Sequence, residues 1–176
     1  DVDGFLICDP HICPEAKTIK QITYKELREL SYMGASVLHP EAIFPVMKGK
    51  IVINIKNTFK PEENGTLIVP NEMYKGGDGS IITGIAGKKD FTVILIEKSM
   101  MNSEVGFIRR VLSVIEHYGL CVEHLPSGID TLSVVIASEQ LKNGVLSDIV
   151  NDIRDDVSPD YVRVIENVSL VATVGH

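Results

Sequence analysis

The residues best placed to do chemistry lie between Lys98 and Phe107, in the run Lys98-Ser99-Met100-Met101-Asn102-Ser103-Glu104-Val105-Gly106-Phe107. This loop joins a predicted strand to the start of a predicted helix. The first backbone N–H groups of a helix have no partner within it, and they sit at the positive end of its dipole, so backbone alone can hold a carboxylate there. Gly106 lets a ligand approach closely. A second group follows at Val122-Glu123-His124 and Ser127-Gly128-Ile129-Asp130, whose acids, hydroxyl and amides suit an ammonium. The two groups together match an amino acid. Spacing alone describes an ordinary N-cap and an ordinary hairpin equally well, since caps and Ser-Gly turns are common.

Other candidates carry less. Cys8 and Cys13 with His11 between them lack the second pair that a four-ligand zinc site needs, so no metal site is expected. Lys75 to Gly79 is rich in glycine but lacks the Gly-Lys-Ser/Thr ending of a phosphate loop. His11, His39, His117, His124 and His176 share no motif with a nucleophile, and no catalytic residue is assigned.

The elements that must position these residues fall into two blocks. In the first, Thr23-Tyr24-Lys25-Glu26 is a capping box opening a helix that runs to Gly34. His39-Pro40-Glu41 starts another helix, with Pro at its first position and an end near Gly49. Strands are predicted at Ile51 to Ile55 and Leu67 to Val69, giving α/β texture. Turn formers cluster at 71–79, which is taken as a linker.

The second block opens with strands at Ile81 to Ala86 and Phe91 to Glu97. Val105, Ile108, Val111, Leu112 and Ile115 then recur at helical spacing, with Gly119 as the stop. Strands at Cys121 to Leu125 and Leu132 to Ala137 follow, then a helix carrying Leu141, Val145, Ile149 and Ile153, then a strand at Tyr161 to Ile165. From 91 to 165 the order is β-α-β-β-α-β, a ferredoxin-like α+β arrangement.

Composition narrows the class. The formal net charge of -7 in 176 residues comes with no basic stripe, which argues against a nucleic-acid partner. No apolar run approaches the ~20 residues of a membrane span. Three cysteines cannot close a disulfide framework, as expected in a reducing cytoplasm. The chain opens at Asp1 without Met and stops just after the apolar run Val168 to Val174, so it reads as a piece of a longer protein.

Several passages in one order are more specific. DVDGFLICDP, PEAKTI, ELSYMGASVLHPEA and INIKNTFKPEENGTLIV resemble the C-terminal end of the catalytic domain of aspartate kinases. MNSEVGFIRRVL and VEHLPSGIDTLSVVI resemble the first ACT regulatory domain of that family, most closely in the lysine-responsive monofunctional enzymes of Gram-positive bacteria. The resemblance implies an amino-acid-kinase remainder over 1–70, a linker at 71–79, an ACT domain over 80–166 and, at 167–176, the first strand of a second ACT domain. It implies a full-length enzyme that phosphorylates L-aspartate with ATP and Mg2+, whereas this piece alone, requiring no cofactor, is expected to be inactive.

Asp1, Asp3 and Gly4 are the nucleotide-site residues implied by the resemblance. Where many relatives carry Arg after Asp-Pro this chain has His11, and where many carry Lys before Val-Leu-His-Pro it has Ser36; Lys56 is one residue that could restore the charge. The implied effector residues are Met101, Glu104, Gly106, Phe107, Ile108, Val122, Glu123, Ser127, Gly128, Ile129 and Asp130. The effector would be L-lysine, with L-threonine an open addition, in a pocket formed where the ACT domains of a homodimer meet. A buried lysine ammonium needs a carboxylate, and Glu123 is the choice. A rival reading is a dimerisation module without ligand response. A ferredoxin-like RNA binder is disfavoured by the charge and the scarcity of strand aromatics.

Overall fold

The computed structural model describes residues 2–35, 38–76, 81–142 and 144–175, with the side chain of Pro40 left aside. Asp1, Ser36, His176 and the last part of the expected linker, 77–79, lie outside the described residues. The chain divides into two compact units, Asp1–Lys88 with Leu170–His176, and Lys89–Ser169. This division falls later than the linker expected at 71–79, whose described part contains a 3-10 turn at Asn71–Met73.

In the first unit, strand β1 (Gln21–Thr23) leads straight into helix α1 (Tyr24–Tyr32). The capping box forms as the sequence predicts: Glu26 N–H donates to Thr23 Oγ1 (3.2 Å), and Glu26 Oε2 accepts from Thr23 N–H (2.9 Å). Helix α2 (Pro40–Lys48) starts from His39, and β2 (Ile53–Ile55) pairs antiparallel with β3 (Thr66–Val69). β1 pairs parallel with β3 on its other side, giving the order β1-β3-β2. Phe5, Ile22, Leu27, Ile43 and Ile68 fill the core beneath it. Each such side chain, fully buried, contributes about 1.5–3 kcal/mol.

The second sheet has the order β5-β4-β6, with β4 at Ile82–Glu97, β5 at Thr131–Ala137 and β6 at Tyr161–Gly175, and the second unit takes β4 from Lys89 and β6 as far as Ser169. Helices α3 (Phe107–His117) and α4 (Val145–Val157) share one core with alternate residues of the sheet: Ile94 and Ile96, then Leu132, Val134 and Ile136. Period-two burial on the strands against helical stripes places both helices on the same sheet face, as the β-α-β-β-α-β reading anticipates. Tyr118 Oη donates to Asp152 Oδ2 at 2.6 Å, tying the end of α3 to α4, and this acceptor pushes the phenol up to about 12.

Three expectations change. Ile82 to Ala86 and Phe91 to Glu97 belong to one strand, which runs on through the polar Lys88-Lys89-Asp90 although Asp90 takes a left-handed φ of 68°. β6 likewise runs on through Asn167 at φ 57°, so Tyr161 to Ile165 and Val168 to Val174 are also continuous. The strand expected at Cys121 to Leu125 shrinks to an isolated bridge, His124 to Val135. Glu123 N–H and the His124 carbonyl still bond to Val135, but at the start of the segment Gln140 takes over: Cys121 N–H donates to Gln140 Oε1 (2.8 Å) and Cys121 C=O accepts from Gln140 Nε2 (3.2 Å).

Candidate functional site

The loop between β4 and α3 is anchored at both ends. Lys98 N–H donates to the Asp130 carbonyl (2.9 Å), and Ser99 donates through both N–H and Oγ to Asp160 Oδ2 (2.6 Å each). Those two donors hold the Asp160 carboxyl below its ordinary value. A 3-10 turn at Met101–Ser103 brings the chain round to Gly106, which caps α3 with φ 79° and no side-chain hydrogen bond. Phe107 N–H donates to the Glu104 carbonyl at 3.3 Å, so the start of α3 is closed by loop backbone and not by a capping side chain.

A cavity of about 270 Å3 opens there, lined by Met101, Asn102, Glu104, Gly106, Phe107, Ile108, Arg109, Ser127 and Gly128. Seven of the residues singled out from the sequence thus meet around one space. Gly128 is fitted closely, since a Cβ would lie 2.6 Å from Thr131 Oγ1. Four others stand apart from this lining: Val122 packs on the core, Glu123 pairs through its N–H with the Val135 carbonyl, Ile129 is exposed, and Asp130 contributes its backbone carbonyl to Lys98.

The acid at the cavity wall is already engaged. Glu104 bridges Lys98 Nζ (3.0 Å) and the Arg110 guanidinium, and these cations hold its carboxyl below the usual range, the Lys98 hydrogen bond most strongly. Lys98 Nζ also lies 5.7 Å from the centre of the Phe107 ring. Lys98 opens the loop singled out from the sequence but was given no role there, and Arg109 and Arg110 were not singled out at all.

Around Asp3 a second group assembles in the first unit. Asn57 Nδ2 donates to Asp3 Oδ1 (2.6 Å) and Lys60 Nζ pairs with Asp3 Oδ2 (2.9 Å). Both depress the Asp3 carboxyl, the Asn57 bond first. Gly4 is buried with φ 119°, where a Cβ would meet Thr66 Oγ1 at 2.5 Å; Thr66 Oγ1 in turn accepts from Phe5 N–H (2.8 Å). Lys56 turns away to the Pro61 carbonyl (2.7 Å), and His11 pairs with Asp9 (2.9 Å). Among the described residues no group of three or more His, Cys, Asp and Glu is placed to hold a metal ion.

The first unit ends an α/β kinase-type domain and the second has the ferredoxin-like form of an ACT module. The amino acid kinase family matches residues 1–57. Aspartokinase 3 of Bacillus subtilis is 37% identical over 175 residues, covering 99% of this chain and 38% of that protein. The aspartate kinase of Clostridium acetobutylicum, described as an allosteric enzyme, superposes with a TM-score of 0.88 at 54% identity, over 99% of this chain and 40% of that one. Aspartokinase III of E. coli shares the fold at TM-scores of 0.73 (22% identity, with lysine and aspartate, T-state) and 0.75 (21% identity, with aspartate and ADP, R-state), over 99% of this chain and 38% of that one. The chain belongs to the aspartokinase family, matching the C-terminal end of the catalytic domain and the ACT-type regulatory region that follows it. It spans about two fifths of the length of these relatives.

Proposed function

We propose that this chain is the regulatory portion of a lysine-responsive aspartokinase of the Gram-positive type, working in the cytoplasm. The full-length enzyme transfers a phosphoryl group from MgATP to the β-carboxylate of L-aspartate, giving 4-phospho-L-aspartate and ADP. In this reading residues 1–70 close the kinase domain, Asp1, Asp3 and Gly4 border its nucleotide site, 71–79 is the linker, 80–166 is the ACT domain, and 167–176 begins a second. The observation that carries the regulatory role is the cavity at the start of α3, where the positive end of the helix dipole and the Gly106 cap, without a capping side chain, suit an amino-acid carboxylate.

The side-chain ammonium of lysine requires an acid beyond Glu104, which is occupied by two cations. Glu123 supplies it, in a pocket completed by a second copy of the ACT domain, so the working species is a homodimer. Lysine binds one arrangement of that dimer more tightly and holds the kinase domain in an unproductive state. In the full-length enzyme, acyl phosphate formed from aspartate and ATP, trapped with hydroxylamine, should fall on adding L-lysine. Glu123→Ala should weaken inhibition by lysine more than binding of a neutral amino acid; unchanged inhibition removes Glu123 from the site.

A further inference from the structure

We propose that Asn57 is a positioning residue of the nucleotide site, holding Asp3 and the turn that carries Lys60 in one arrangement; this rests on the reading of Asp3 as a nucleotide-site residue. Asn57 is buried, and both ends of its amide are used. Nδ2 donates to Asp3 Oδ1 at 2.6 Å, while Oδ1 accepts from Phe59 N–H at 2.9 Å. The Asn57 carbonyl accepts from Lys60 N–H at 3.2 Å, which closes the turn and sets Lys60 Nζ on the other Asp3 oxygen at 2.9 Å. Asn57 therefore fixes the direction of a carboxylate 54 residues away through its amide nitrogen, and braces the turn that carries the neutralising cation through its amide oxygen and its backbone carbonyl.

The chemistry favours this arrangement over simple packing. A buried amide that only filled space would cost stability without its hydrogen bonds, and here one bond goes to Asp3 and the other to Phe59 N–H, inside the turn that presents Lys60 to the same carboxylate. Asn57 and Lys60 are the polar groups set against the Asp3 carboxylate; Glu62 and Glu63 lie further along and act on Lys60. Without the Asn57 donor the carboxylate loses its leading stabilising contact, and it gains a proton at higher pH.

The test uses the full-length enzyme and separates this inference from the reading beneath it. Asn57→Ala and Asp3→Asn should each raise KM for ATP about tenfold with kcat nearly unchanged, and the double variant should be no worse than Asp3→Asn alone. Asn57→Asp, nearly isosteric, keeps the packing but sets a second carboxylate against Asp3. It should move the acid limb of kcat/KM for ATP to higher pH, a shift that a purely structural role would not produce. This variant also serves if Asn57→Ala fails to fold. If Asp3→Asn raises KM while both Asn57 variants leave KM and the acid limb unchanged, the inference falls and the nucleotide reading stands. If Asp3→Asn itself leaves KM unchanged, both fall.

Discussion

At the scale of single residues, charge and backbone conformation set the effector site. Gly106 holds φ at 79°, yet a Cβ there would meet only Arg109 Nε at 3.9 Å, an ordinary contact. Gly106→Ala should therefore cost about 1 kcal/mol in urea denaturation, from the left-handed conformation alone. A much larger loss would mean that the loop is packed more tightly than these distances say. Glu104 gives a pH prediction. Its folded carboxyl sits below its ordinary value of 4.5 because of Lys98 and Arg110, so its stabilising contribution is present above that value and is lost as pH falls through the folded value. Asp160, held down by Ser99 from its ordinary value of 3.8, acts in the same direction. Denaturation midpoints should fall as the pH drops below about 4.5, and Glu104→Gln should flatten that dependence. The residue types at Met101, Glu104, Gly106, Ser127 and Gly128 were legible because a loop before an amphipathic helix and a Ser-Gly turn have local signatures. Asn57 and Lys60 were not, because their partner Asp3 is more than 50 residues away and no local pattern marks such a pair.

At the scale of elements, the contrast between α1 and the segment 121–125 shows what local chemistry can and cannot fix. Thr23 and Glu26 satisfy each other three residues apart, so the start of α1 could be read from four residues. Cys121 to Leu125 has the apolar alternation of a strand, but a side chain from Gln140 takes the backbone groups of Cys121, and only a bridge at His124 remains. Likewise Lys88-Lys89-Asp90 looks like a turn until β4 is seen to continue through it. The first part of β4 is tied to α1 by Thr83 Oγ1, which donates to the buried Glu26 carboxylate. Thr83→Val removes that donor and should destabilise the chain by about 1–3 kcal/mol, measured by thermal or urea unfolding. A neutral substitution would show that water or another donor replaces it.

At the scale of the whole molecule, the division into compact units crosses the sequence twice. Leu170–His176 groups with Asp1–Lys88, and Val174 lies in the core of that first unit. The alternation of strand and helix from β4 to β6 was legible from periodicity, all but the strand expected at Cys121 to Leu125, because α3 and α4 carry strong apolar stripes and β5 is an almost continuous apolar run. The grouping of the last residues was not, since only the tertiary core decides where an isolated apolar strand packs. The proposed dimer adds a concentration-dependent prediction: sedimentation should give a dimer that tightens when L-lysine is added, because a ligand that binds the assembled pocket favours assembly. A monomer at all concentrations, with or without lysine, would remove the shared pocket.

If the space at the start of α3 binds an amino-acid effector, titration calorimetry of this chain with L-lysine, L-threonine and L-methionine will show it. L-lysine should give saturable heat that is reduced by Gly106→Ala and by Glu123→Ala; no heat with any of the three amino acids would mean that the space is not an effector site.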